Sequence, residues 1–489
     1  MPQLKTICPE DIAVPPGLAG HEIRNVRTDS RRVEDGDLLM CPETSRENAA
    51  QYVRDAFHNG AAVVVCEEGV FPADACPQKV LMVRGIAARV PEFLSRAYPL
   101  ARKIKLTGIT GTNGKTTITY LLESIWSACG FHPGVIGTVA YRYGDQILPA
   151  KNTTPGIADN YCLLAAMARA GVTHCAMEVS SHALDQGRVR GLNFDHAVFT
   201  NLTRDHLDYH AGQEAYFAAK ARLFNGEAEI GRAVINVDDA SAGRLIELTS
   251  AQVTRYGIDG PADIAAHDLC LDAEGLRFTL AVGKEKILLS SALAGRHNVY
   301  NILAAAAVCC HQGIDLKDIA RGIAARKIIP GRLERVGHRP DQPAVFVDYA
   351  HTDDALRNVL RSLKALQPGR LIVVFGCGGD RDRGKRSRMA RAAEQYAQDV
   401  IVTNDNPRSE DPDQILADIE SGFQQKQYVM IKDRGEAIGR AIDQAGPRDI
   451  VLIAGKGHED YQTFADRTIH FDDREVAAEC LNRKRKQAL

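Results

Sequence analysis

What the chain lacks narrows the field first. Neither sign of charge dominates, since 60 Lys and Arg stand against 62 Asp and Glu. There is therefore no broad field to grip a nucleic acid or an anionic membrane, and an anionic ligand must be held by local sites. The twelve cysteines include no C-x-x-C pair. Their only close neighbours, Cys309 and Cys310, fall in an Ala-rich helical run where a mutual disulfide would be strained. They are expected to be reduced, small apolar residues of a cytosolic protein. Pro2, Pro9, Glu10 and Asp11 stand where a signal peptide would need an apolar stretch, and the apolar run 302–310 is far too short to span a bilayer. The expectation is a cytoplasmic protein, a monomer, with no membrane insertion and no nucleic-acid partner. Internal repeats and low-complexity tracts are absent too.

What is present reads as a multidomain α/β enzyme. A chain of 489 residues exceeds one ordinary core, and the length predicts about three domains. From about residue 60 onward, short apolar runs ending in Gly, Asn or Asp alternate with helix-period segments, which predicts parallel α/β architecture throughout. Breaks near 99–103 and at Pro330-Gly331 divide the chain into 1–100, 101–330 and 331–489.

The strongest motif is Thr110-Gly111-Thr112-Asn113-Gly114-Lys115-Thr116-Thr117, between an apolar strand expected over 104–110 and a helix with Ile118, Leu121, Leu122 and Ile125 on one face. Glycines there let backbone N–H groups close around phosphate oxygens. The helix N-terminus adds positive potential, Lys115 can reach the terminal phosphates, and Thr116 can bind Mg²⁺. The usual phosphate-loop spacing is not met, because Ile109 stands where its first glycine belongs. Two further runs end in polar groups: one in Glu178-Val179-Ser180-Ser181-His182, the other in Asn201-Leu202-Thr203-Arg204-Asp205-His206. Ligands gather outside the carboxyl ends of parallel strands, so Glu178 and His206 are candidates to hold Mg²⁺ beside the phosphates.

These segments, with Asn152-Thr153-Thr154-Pro155, Leu207-Asp208 after His206, and Gly295-Arg296-His297-Asn298, occur in an order that resembles the Mur ligases over nearly the whole chain. The resemblance implies three domains: an N-terminal uridine-binding α/β domain, a central P-loop-type ATPase domain with a parallel sheet, and a C-terminal Rossmann-like domain. It also implies an amide-forming ligase in peptidoglycan precursor synthesis, with ATP as co-substrate and Mg²⁺ as cofactor. A carboxylate is a poor electrophile until an oxygen becomes a good leaving group, and phosphorylation supplies one; an amine then displaces phosphate.

Residue by residue, the resemblance places Lys115, Glu178, His206 and Lys220 in catalysis. Lys220 sits in a helical stretch, Ala215 to Phe224, where composition alone reads it as a solvated lysine. In similar ligases the lysine at this place is carbamylated and becomes a metal ligand beside Thr116, Glu178 and His206. Gly111 to Thr117, Asn298, Asn301, Arg332 and Asp348 match nucleotide-binding positions. Thr28, Ser30, Ser45, Arg46, Glu47, Asn152, Thr153, Thr154, Ser180, Gln186 and Arg188 match positions that hold the UDP-muramoyl dipeptide. The segment 42–52 departs from the family pattern, in which Gly and then Asp-Gly precede an aromatic, and Asp353 stands where the family has Pro.

The last third repeats the strand-then-polar-loop theme three times, and three such loops at one sheet edge can surround a small polar molecule. Asp405-Asn406-Pro407-Arg408 is similar to the motif of the family's diaminopimelate-adding members. A distal carboxylate calls for a guanidinium fork, which makes Arg408 the specificity residue, with Arg381, Gly455 and Glu459 around the same ligand. The implied substrates are ATP, UDP-MurNAc-L-Ala-D-Glu and meso-diaminopimelate. The competing readings are a lysine-adding ligase, a folylpolyglutamate synthetase-like ligase, and a non-enzymatic scaffold that binds ATP and precursor. Degenerate scaffolds should lose Lys115, Glu178, His206 or Lys220, and this chain keeps all four.

Overall fold

Three parallel-cored sheets follow one another along the chain in a computed structural model. It describes residues 1–43, 45–70, 79–206, 209–337, 339–425 and 428–488, without the side chains of residues 46 and 486–488. Thr44, the Arg46 side chain and Leu207-Asp208 lie outside the described residues.

The first sheet runs β1 (Val26–Arg27), β2 (Leu38–Cys41), β3 (Val63–Glu67) and β4 (Val80–Val83), all parallel and in sequence order. β2 is buried at every position, as a strand covered on both faces must be. The helix Arg46–His58 packs on one face through Ala49, Val53 and Ala56. The helix Ile86–Ala97 covers the other through Ile86, Val90, Phe93 and Leu94.

The second sheet has eleven strands. They are β5 (Lys105–Thr110), β6 (Pro133–Ile136), β7 (Ala140–Tyr143), β8 (Gln146–Pro149), β9 (His174–Glu178), β10 (Asn193–Phe199), β11 (Glu229–Asn236), β12 (Gln252–Gly257), β13 (Ile264–Asp272), β14 (Gly275–Val282) and β15 (Glu285–Ser291). Their spatial order is β15-β14-β13-β12-β11-β10-β5-β9-β6-β7-β8. The stretch from β6 to β13 is parallel, while β7-β8 and β14-β15 add antiparallel hairpins at the two edges. Parallel architecture throughout was too broad an expectation. β7 and β8 are four residues each and bury one position between them, while β14 is buried at five of its eight positions like a core parallel strand, so none of the three shows the alternation that betrays an antiparallel strand.

The third sheet has the order β16 (Glu334–Val336), β17 (Ala344–Asp348), β21 (Ile450–Ala454), β18 (Leu371–Phe375), β19 (Asp399–Val402), β20 (Val429–Met430). All pairings are parallel except β16 with β17. A small hairpin, β22 (Tyr461–Thr463) with β23 (Thr468–His470), follows. Because β17, β21, β18 and β19 are adjacent and parallel, the loops after them open at one edge.

The helix Lys115–Ala128 explains why β5 sits where it does. It buries Ile118, Leu121, Leu122, Ile125 and Trp126 in one core with the Ala-rich helix Arg296–His311 and with Ile319 and Ile323 of the helix Leu316–Ala325. That helix is therefore held by packing on several sides. Its N-terminus is fixed against the end of β5, which is what a phosphate loop needs.

Candidate active site

The loop between β5 and the helix Lys115–Ala128 is built on two left-handed glycines, Gly111 (φ 141°) and Gly114 (φ 93°). A Cβ on Gly111 would strike the Thr200 hydroxyl and lie 3.0 Å from the Asn201 backbone, and one on Gly114 would strike the Asn301 side chain. Only glycine fits such close approaches at positive φ. Asn201, at the end of β10, clamps the loop: its carbonyl accepts from Thr112 N (2.8 Å), its Oδ1 from Asn113 N (3.0 Å), and its Nδ2 donates to Asn113 O (3.2 Å).

Two lysines meet at this loop. Lys115 Nζ donates to the carbonyls of Gly111 (2.7 Å) and Thr112 (2.8 Å), and Lys220 Nζ donates to the same Gly111 carbonyl (3.0 Å). Lys220 is 2 % exposed and lies 4.5 Å over the Tyr216 ring. Burial, and after it the neighbouring Lys115 charge, hold its amine well below the usual lysine range; burial likewise lowers Lys115. The reading of Lys220 as a solvated lysine is therefore replaced by that of a buried amine. The apolar face of the helix Gln213–Ala221 includes Tyr216 and Phe217, which turn Lys220 inward.

Thr116 and Glu178 are in contact, Thr116 Oγ1 donating to Glu178 Oε2 at 3.1 Å. The same carboxylate accepts from Thr138 Oγ1 (3.0 Å) and, on Oε1, from Thr138 N (2.9 Å). From there a chain of polar contacts leads outward. Thr138 and Thr153 hydroxyls lie 3.1 Å apart, Thr154 Oγ1 donates to the Glu178 carbonyl (2.8 Å) and accepts from Ser180 N (3.1 Å). Arg188 Nη1 donates to the Thr154 carbonyl (3.0 Å), and Arg188 also donates to Gln186 Oε1. Asn152 joins through its carbonyl, which accepts from Tyr141 OH at 2.7 Å.

His206 stands elsewhere in the pocket, at φ 52°, with its ring 4.8 Å from that of His182 and 6.2 Å from that of Tyr216. Glu178 and His206 follow β9 and β10, which flank β5 rather than each other. Among the described residues no group of three or more His, Cys, Asp or Glu side chains gathers as a metal cluster. The candidate cation site is instead a set of hydroxyl and carboxylate oxygens.

The last third of the chain reaches this loop. Arg332 Nη2 donates to Thr116 Oγ1 (3.2 Å) and its guanidinium lies 5.1 Å over the Tyr349 ring. Asp348, at the end of β17, accepts from Leu333 N (2.7 Å) and Ala350 N (2.8 Å), and burial raises its carboxyl above the usual range. Asn301 Nδ2 donates to Asn298 Oδ1 (2.9 Å) beneath Gly114.

A second polar centre lies where β19 and β21 end. Asn406 is 1 % exposed; its Nδ2 donates to Glu459 Oε2 (2.9 Å) and its Oδ1 accepts from Thr463 N (2.9 Å). Asp405 and Pro407 are buried beside it, and a Cβ on Gly455 (φ 120°) would lie 2.5 Å from Asp405 Oδ2. Burial, reinforced by Asp405, raises the Glu459 carboxyl. Arg408, half-buried at φ 55°, donates from Nη1 to the Gly379 carbonyl (2.8 Å). Arg381 is exposed and donates to the Asp380 carbonyl (3.1 Å).

At the first sheet, Thr28 and Ser30 line a cleft of about 570 Å³ with Cys41, Pro42 and Glu43. Ser45 and Glu47 are exposed at the start of the helix Arg46–His58 and do not line it.

Sequence reasoning missed Thr138, Tyr216, and the buried Arg434 and Lys456. Arg434 donates to both oxygens of Asp473 (2.7 Å each) and to the carbonyls that end β21 and follow β19. Lys456 lies between Asn406 and Glu459. Lys456 lies in the loop between Gly455 and Glu459 and Tyr216 in the helical stretch around Lys220, but neither these nor Thr138 and Arg434 carry a local signal, because partners such as Thr112, Thr153 and Asp473 lie 15 to 104 residues away.

Comparison with known proteins gives two family matches: the Mur ligase middle domain over residues 109–309, and the Mur ligase, glutamate ligase domain over residues 331–457. A protein of Solibacter usitatus described as UDP-N-acetylmuramoyl-L-alanyl-D-glutamate--2,6-diaminopimelate ligase is 45% identical over 474 residues, 95% of each chain. One of the same description from Halalkalibacterium halodurans is 44% identical over 471 residues, again 95% of each. A solved structure of a ligase with that name is 34% identical, covers 99% of both chains and superposes with a TM-score of 0.73.

Proposed function

Since this chain belongs to the Mur ligase family, we propose that it joins meso-diaminopimelate to the D-Glu γ-carboxylate of UDP-MurNAc-L-Ala-D-Glu through an acyl phosphate. It is an ATP-dependent amide-forming ligase of peptidoglycan precursor synthesis. The division of labour we propose gives residues 1–100 the uridine end, 101–330 ATP and the acid, and 331–489 the amino acid, in a cytoplasmic monomer.

The observation that carries the reading is Thr116 Oγ1, which meets Glu178 on one side and Arg332 on the other. The glycine loop, the end of β9 and the last third converge there, and the residues we assign to the muramoyl peptide lead away from Glu178. Lys115, pinned on loop carbonyls, is the cation poised for the terminal phosphates, and Arg332 is the second. Thr154, Ser180 and Arg188 lead from Glu178 toward the acceptor and would hold its carboxylate in line. Thr116, Glu178, His206 and a carbamylated Lys220 are the residues we assign to Mg²⁺. The hydroxyl and carboxylate oxygens converging at Glu178 suit that hard cation. When bound, it would neutralise charge on the transferring phosphoryl group.

At the far pocket, Arg408 would fork onto the distal carboxylate of diaminopimelate, and Asp405 and Glu459 would receive an ammonium group. No helix among the described residues is long and apolar enough to cross a membrane. The test is phosphate release from Mg·ATP with UDP-MurNAc-L-Ala-D-Glu and either meso-diaminopimelate or L-lysine. Fast release with the first and slow with the second is expected; equal rates overturn the specificity, and no release with either overturns the function.

A further inference from the structure

The first sheet holds a cysteine pair that the ligase chemistry does not use. β2 and β3 run parallel, and their ladder sets Cys41 directly opposite Cys66. Neighbouring strands lie about 4.8 Å apart, and disulfides span Cα separations of about 4.4–6.8 Å. Both side chains face the same core, beneath the helix Arg46–His58. Side chains at directly registered positions on one sheet face are neighbours, and Cys41 and Cys66 both belong to this small core.

The two thiols are not equivalent. Cys41 ends β2 and lines the cleft of about 570 Å³ with Thr28, Ser30, Pro42 and Glu43, whereas Cys66 does not line it. They are 4 % and 1 % exposed. The neighbouring Cys66 thiol lowers Cys41, and Cys41 together with burial raises Cys66. The thiolate is the reacting form, and Cys41 is the one of the two that a reagent in the cleft meets.

We propose that Cys41 and Cys66 are a reversible oxidation site for small hydroperoxides, and that their disulfide weakens nucleotide-sugar binding at the adjoining cleft. Cys41 thiolate attacks the peroxide's terminal oxygen, giving Cys41 sulfenic acid and releasing the alcohol, or water from hydrogen peroxide. The Cys66 thiol then attacks the Cys41 sulfur, the S–S bond forms, and the sulfenic oxygen leaves as water. One two-electron oxidant is reduced and two thiols are oxidised. The new bond ties the carboxyl end of β2 to β3, which displaces Cys41-Pro42-Glu43 from the cleft wall.

This inference rests on the reading of the cleft as the uridine end, so the experiment separates the two. Full-length protein is treated with hydrogen peroxide, mapped by peptide mass spectrometry, and assayed before and after dithiothreitol. The expected result is a peptide pair joined through Cys41 and Cys66. The KM for UDP-MurNAc-L-Ala-D-Glu should rise by roughly fivefold or more, the KM for ATP should not change, and dithiothreitol should restore the first value. Cys66→Ser should keep the starting KM and lose the response. If that variant fails to fold, differential alkylation of the wild-type protein reads the same pair. Exposed Cys270, opposite Arg277 in its sheet, is the internal control. Oxidation of Cys270 with Cys41 and Cys66 still free, or a Cys41–Cys66 bridge with an unchanged KM, overturns the proposal. UDP is tested separately for protection of Cys41 from alkylation: protection without a bridge sinks the oxidation site alone, and no protection sinks the uridine reading.

Discussion

Lys115 and Lys220 share one acceptor, the carbonyl of Gly111, at 2.7 and 3.0 Å. Two amines on one oxygen inside the protein cannot both be comfortable as ammonium ions, and burial and the Lys115 charge lower Lys220. A neutral amine is the form that reacts with carbon dioxide, which gives the proposed carbamate a physical origin.

Replacing that amine tests it. Lys220→Ala should lower kcat by about 100-fold or more, with partial recovery in added short-chain carboxylate; full activity without additive would remove Lys220 from the mechanism. Stability should move the other way. The folded pKa is lowered, so the unfolded chain binds the extra proton, and the folded state gains stability as pH rises toward 10.5, the usual lysine value. Lys220→Met should therefore raise stability at pH 7 by about 1–2 kcal/mol in urea unfolding and flatten that dependence.

Arg408 should decide between amines. Its left-handed backbone and its bond to Gly379 O aim the guanidinium along the loop edge. Arg408→Ala should cost about 2–4 kcal/mol in kcat/KM for diaminopimelate, the scale for losing a charge-assisted partner, and little for lysine. An unchanged kcat/KM would make it a surface residue.

The Glu459 carboxyl is raised by burial and by Asp405. As pH falls it takes up a proton before an ordinary glutamate would, and the pocket loses an anion for the ligand's ammonium. The KM for diaminopimelate should climb on the acid side while the KM for ATP stays level, and Glu459→Gln should have a raised KM without that acid limb. Parallel acid limbs in wild type and variant would point to another group.

Arg434 and Asp473 are both fully buried and paired through two 2.7 Å bonds. Arg434→Met leaves a buried carboxylate unpaired and should cost about 3–5 kcal/mol of stability, much of it regained in Arg434→Met with Asp473→Leu. Thermal unfolding of the wild type and these two variants checks the order.

The local grammar of the sequence was enough to read the phosphate loop. An apolar strand, a glycine turn and a helix with one apolar face are set by neighbours in sequence; β5 starts within a residue of expectation, and Ile118, Leu121, Leu122 and Ile125 are buried in the helix that follows. The three polar loops of the last third were readable for the same reason. What escaped depends on distant partners. Lys220 looks solvated until Tyr216 and Gly111 are placed around it, and Thr138 is an ordinary loop threonine until Glu178, 40 residues on, accepts from it. The edge hairpins escaped because β7 and β8 are too short to show an alternation and β14 is buried almost throughout.

Arg332 lies 216 residues beyond the threonine it touches. A loop whose second cation arrives only when the two ends of the catalytic machinery meet keeps time by geometry. A nucleotide bound with the last third swung away would lack Arg332, and on the proposed division of labour its γ-phosphate would wait until the amine donor's own module had docked.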